Sequence, residues 1–90
     1  ESNFERFMSE WNAKKILASD YLLKAEELFQ SGDQLSACAT QKEASEYGVS
    51  ATQSLIYAME INGTRDSIEN LKAGINKWEE IGDLCAPILN

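Results

Sequence analysis

Apolar residues along this chain recur at helical rather than strand spacing, in three blocks separated by two short turn signals. In the first block Phe4, Met8, Trp11, Leu22, Ala25 and Phe29 fall on one broad face, widened by Tyr21 and Leu28, which predicts a helix over 4–30. Lys15 interrupts that face, and its aliphatic stem can lie along apolar neighbours while the ammonium reaches water. Glu10 with Lys14 and Asp20 with Lys24 have the acidic-first i,i+4 order that favours ion pairing on a helix. Gln30-Ser31-Gly32-Asp33 then supplies a stop and a restart. Gly32 suits the left-handed position after a helix, and Asp33 suits the cap of the next one.

The second block, 34–61, has a different character. Ala37, Ala44, Ala51 and Ala58 recur every seventh residue, with Gly48 and Leu55 beside them, so a neighbouring backbone can approach closely. Such a seam buries little apolar area, and Leu35, Cys38, Ile56 and Met59 are expected to supply much of the packing. Gly48-Val49-Ser50 weakens the helix locally, with continuous helix as the expected outcome. Asn62-Gly63 is the second stop.

The third block runs over 65–84, with Ile68, Leu71, Ile75, Trp78 and Ile81 as its stripe and with Pro87 disfavouring helix just before it. Its start is expected at Thr64 or Asp66, the latter forming a capping box with Glu69, and Arg65 pairs with Glu69 by spacing. Ile88 and Leu89 are expected to fold back over the helices. The fold class that follows is all-α: a three-helix antiparallel bundle or helical array within a single domain, 1–90.

The two cysteines test this topology. A turn near Asn62 folds the third helix back along the second, and Cys38 lies 24 residues before Asn62 while Cys85 lies 23 after it. At about 1.5 Å per residue both return to one level, within the roughly 4.4 to 6.8 Å Cα separation of a disulfide. A Cys38–Cys85 bond is therefore expected. On the chain-entropy model it stabilises the fold by about 4 kcal/mol. An even cysteine count in so short a chain also points to an oxidising compartment, extracellular or periplasmic. Glu1 in place of a starting methionine leads us to expect a processed or trimmed chain.

Composition narrows the function classes. With 15 acidic and 8 basic residues the net charge is −7. That disfavours nucleic acid, whose binding depends on neutralising phosphates, and likewise anionic membranes. A basic protein is the electrostatically easier partner, and self-association into a homo-oligomer is compatible with the bundle. No stretch approaches the length of a membrane span. The chain has no histidine, no phosphate-cradling glycine motif and too few cysteines for a thiolate zinc site, so no catalytic residue, metal or cofactor is expected.

What remains points to recognition. Tyr47 and Tyr57, beside Glu43, Glu46 and Glu60, are the candidate partner-binding residues, because an aromatic ring offers large contact area and the carboxylates attract cations. Glu43 with Glu46, and Glu80 with Asp83, are carboxylate pairs on helix surfaces that suit ordinary solvation better than a cation site. Asn62-Gly63-Thr64 matches the glycosylation acceptor pattern at Asn62, although a turn and cap explain the same residues.

The stretch Lys24-Ala25-Glu26-Glu27-Leu28-Phe29-Gln30-Ser31-Gly32-Asp33, followed by Ala37, resembles a helix-turn-helix unit of tetratricopeptide-like or related three-helix adaptor domains. The resemblance covers one hairpin, implies no ligand positions, and has no second copy at the repeat's roughly 34-residue period.

The leading expectation is a non-enzymatic protein-binding module: an inhibitor, immunity factor or adaptor. The alternatives are a carrier holding a small apolar ligand among Phe29, Leu35, Met59 or Trp78, and a structural subunit or fragment of a larger assembly.

Overall fold

The computed structural model describes residues 2–89. It contains α1 (Asn3–Gln30), α2 (Gln34–Asn62), α3 (Ile68–Asp83) and a short α4 (Ala86–Leu89). Both junctions between the long helices are built by glycine in the left-handed region, where only a residue without Cβ sits free of strain. After α1, Gly32 (φ 88°) donates to the Phe29 carbonyl at 3.1 Å and Asp33 donates to Leu28 at 3.0 Å. After α2, Gly63 (φ 75°) donates to Glu60 at 3.2 Å and Thr64 donates to Met59 at 3.0 Å. Each pair is a Schellman closure that occupies the last free carbonyls of its helix.

Asp33 caps α2 as expected, its carboxylate accepting from the Ser36 amide at 3.2 Å. D33A should therefore cost about 1 kcal/mol in chemical denaturation, while D33N should cost far less.

The start of α3 departs from expectation. The helix begins at Ile68 rather than 65, and its N-cap, Ser67, makes no side-chain cap bond. The Asp66–Glu69 capping box does not form, because Thr64 is drawn into the α2 closure and its hydroxyl accepts from the Asn62 amide at 3.0 Å. That leaves Arg65 outside the helix, so it loses the spacing to Glu69. Among the described residues the one ion pair is Lys72–Glu69 at 3.8 Å, and neither Glu10–Lys14 nor Asp20–Lys24 closes. Glu10 instead accepts a 3.4 Å hydrogen bond from Ser54 of α2.

α2 is the central rod. α1 packs on one side of it and α3 on another, both antiparallel to it, and α4 rests on it too. Phe7 meets Tyr57 (ring centroids 5.2 Å apart) and Tyr21 meets Tyr47 (5.4 Å), which fixes the α1–α2 register. The alanine seam runs along the same contact and extends past both aromatic pairs: Ala37, Ala44, Ala51 and Ala58 of α2 are buried, as are Ala18 and Ala25 of α1. Small side chains let the two helices lie close along their length.

The α2–α3 contact is made differently. The Trp78 indole lies against Gly48, so that a Cβ built there overlaps the ring, and this partner explains why α2 runs unbroken through its glycine. One turn away Ser45 donates to the Trp78 carbonyl at 2.6 Å, and Gln41 donates to the Ile81 carbonyl at 2.7 Å. Gly82 faces Ser45, where a Cβ would come within 2.6 Å of the hydroxyl.

The cysteines meet as the topology requires. Cys38 and Cys85 form a disulfide with a Cα–Cα distance of 5.3 Å, and both are buried. Cys38 is the largest fully buried side chain among the described residues. Leu35, in contrast, is 63% exposed and contributes little packing. It stands in the first turn of α2, seven residues before the exposed Lys42.

Candidate functional site

The surface carries the large side chains that the core lacks. Among the described residues Ile56 is the only buried one larger than cysteine, whereas Leu23 is 60% exposed, Leu84 75% and Phe29 39%. The cause is geometric. α1 and α3 both pack on α2 but hardly pack on each other, which leaves an open groove between them. Leu22, Leu23 and Phe29 of α1, Gln41 of α2 and Ile81 of α3 line this groove, whose volume is about 610 Å³. Glu26 is its one charged member.

A second groove, of about 540 Å³, lies between α2 and the α3–α4 corner. Its apolar members include Val49 of α2 and Ala86 and Leu89 of α4, so Leu89 does fold back onto α2, while Ile88 stays exposed. Around them stand Glu46, Glu79 and Asp83, opposed by Lys42. The carboxylates do not converge as metal ligands do: among the described residues no group of three or more acidic or sulfur side chains is placed to hold an ion. Among the described residues none of the three lies within ion-pair distance of a cation.

The residues singled out from the sequence separate into two regions. Glu43, Glu46 and Tyr47 line one depression together with Lys14 and Ser50. Tyr47 is half-buried there because its ring packs on Tyr21. Tyr57 lies toward the other end of α2 against Phe7, with part of its ring exposed. Glu60 lines a separate depression with Arg65, Ile68, Glu69 and Lys72.

No protein family model, curated protein or solved structure matches this chain. Its function must be argued from these surfaces alone.

The remaining sequence candidates can be placed as well. Glu80 is exposed, while Asp83, its partner by spacing, belongs to the second groove. Asn62 is the exposed last residue of α2, its amide held by Thr64. Of the four residues considered for an apolar cavity, Phe29 alone lines the α1–α3 groove, since Trp78 is committed to Gly48. Lys15 lies over Trp11, its ammonium 4.0 Å from the ring centroid, a cation–π contact worth about 0.5–1 kcal/mol at an exposed position.

Two site residues escaped the sequence reading, although each left a signal. Glu79 stands four residues before Asp83, a like-charge spacing that a helix disfavours unless something offsets it. Leu23 follows Leu22 and lies outside the apolar stripe of α1, where an aliphatic residue has no core to enter.

Proposed function

We propose that this chain is a non-enzymatic protein-binding module acting in the periplasm or outside the cell, as an inhibitor, immunity factor or adaptor. One observation carries the proposal: the helices bury alanine and leave leucine, isoleucine and phenylalanine exposed, two of these, Leu23 and Phe29, lying with half-buried Leu22 and Ile81 along the α1–α3 groove. A contiguous apolar surface costs free energy in water, and in a folded protein it commonly marks the place where another macromolecule docks. The buried disulfide supports the compartment, since such bonds persist where thiols are not kept reduced. Among the described residues no helix is long and apolar enough to cross a membrane.

The test compares two exposed leucines. L23E places a charge in the groove, and L35E places one on an exposed leucine outside it. Both should leave stability within about 0.5 kcal/mol of wild type, because neither side chain is buried. Chemical crosslinking in native extract, titrated with wild-type protein, should give a saturable complex. L23E should weaken that complex at least about tenfold, the equivalent of 1.4 kcal/mol, and L35E should retain it. Equal behaviour of the two variants, or no saturable complex, would count against a docking role for the groove.

A further inference from the structure

The acidic groove between α2 and the α3–α4 corner has features that the apolar one lacks. Glu79 and Asp83 stand one turn apart on α3, Glu46 faces the same space from α2, and Lys42 is the one cation that lines it. Like charges at that spacing repel and destabilise a helix, and no ion pair within the described residues relieves them. The groove also presents Val49, Ala86 and Leu89, so an occupant meets aliphatic surface and negative charge side by side.

It continues further across α2. Glu46 and Ser50 belong both to this groove and to the depression that holds Glu43, Tyr47 and Lys14. A footprint of that extent suits a polypeptide segment better than a small amine. A second copy of this chain would bring another net charge of −7 to an already acidic surface, so self-association through this face is opposed.

We propose that this groove docks a basic amphipathic segment of a partner polypeptide. A lysine or arginine of that segment sits among Glu46, Glu79 and Asp83, and a neighbouring aliphatic side chain rests on Val49, Ala86 and Leu89. The proposal rests on the protein-binding reading above and adds a second surface and the chemistry of what it recognises. Complementary charge steers such a segment into place, and the aliphatic contact, which salt does not screen, holds it.

The probe is a fluorescein-labelled helical peptide built from leucine and lysine, followed by fluorescence anisotropy in about 150 mM salt, where charges more than roughly 8 Å apart are screened. E46Q/E79Q/D83N removes three charges from the groove, and E5Q/E27Q/D66N removes the same number from exposed positions elsewhere. The groove variant should bind the peptide at least about tenfold more weakly, and the control variant should match wild type. Amide chemical-shift changes should cluster at 46–53 and 79–89, and the acetyl-lysine form of the peptide should not bind.

Equal losses in both variants, competition by spermidine as effective as by the peptide, or shifts centred on Leu22, Leu23 and Ile81 would overturn the proposal. The two readings fail separately. If L23E abolishes the extract complex while the peptide ignores the groove variant, the module stands and this site falls. If no complex forms in extract, the peptide still reports on the groove.

Discussion

C38A/C85A loses about 4 kcal/mol of stability, the largest effect expected from any small substitution in this chain, as a midpoint shift in urea denaturation followed by circular dichroism. The bond joins residues separated by 47 positions, and tethering a loop of that length restricts the unfolded chain by about this amount on the chain-entropy model. In a domain of this size such a loss lowers Tm by about 16–32 °C. Besides the bond, hydrogen bonds from Gln41 and Ser45 and the Trp78 indole on Gly48 hold α3 against α2, but no deep apolar burial adds to them. α3 has no fully buried residue, and α4 is one turn long. Alanine is the right replacement at both sites, because a serine hydroxyl at these buried positions would add a desolvation cost unrelated to the bond. Reductant should destabilise the wild type toward the variant and leave the variant unchanged. A loss below about 1 kcal/mol would mean that helix packing alone holds the C-terminal half. Peptide binding in the acidic groove should also weaken in C38A/C85A, since Cys85 holds the corner that supplies Ala86 and Leu89.

G48A should change sign with its background. In the wild type an added Cβ overlaps the Trp78 ring, and overpacking of this kind typically costs about 1–3 kcal/mol. Alanine returns up to about 1 kcal/mol through its better helix propensity, so a net loss of about 1–2 kcal/mol is expected. W78A alone should cost roughly 2–3 kcal/mol, below the usual range for a fully buried tryptophan because this ring is half-buried. Once the ring is gone the clash is gone too. In the W78A background, G48A should stabilise by about 0.5–1 kcal/mol, the normal gain from replacing glycine within a helix. The coupling energy of the cycle is then about 1.5–3 kcal/mol. Additive single effects in thermal or urea denaturation would show that Gly48 does not seat the indole.

These two effects also show what could be read before the structure. The disulfide followed from arithmetic: antiparallel helices joined at Asn62-Gly63 bring equidistant residues together, and α-helical rise is nearly constant. The turns were legible for a similarly local reason, since a left-handed backbone after a helix selects glycine. The alanine seam was visible as a heptad. The contact between Gly48 and Trp78 was not, because nothing local says which aromatic will meet which glycine 30 positions away.

The candidate site was legible in part. Glu43, Glu46 and Tyr47 share one stretch of helix, and one turn of spacing was enough to group them. Asp83 was noted with Glu80, but its groove partners turned out to be Glu79 and Glu46, since α3 packs with Gly82 against Ser45 and thereby turns Glu79 and Asp83 toward α2. Tyr57 and Glu60 separated from the group because Phe7 holds the one and the depression beside α3's first turn takes in the other.

By itself the sequence determined the three long helices, the glycine turns that end the first two, their antiparallel order and the pairing of the cysteines, all of which depend on local backbone preference and on a fixed rise per residue, while the short α4 and the late start of α3 came only with the structure. Only the tertiary structure decided that Leu22, Leu23 and Phe29 would face an open groove rather than a closed core. That outcome depends on the distance between α1 and α3, which is set by what each places against α2: alanines on one side, and an indole resting on a glycine on the other. An apolar stripe reports that a helix has something to bury, and the packing of its neighbours decides whether the same chain buries it.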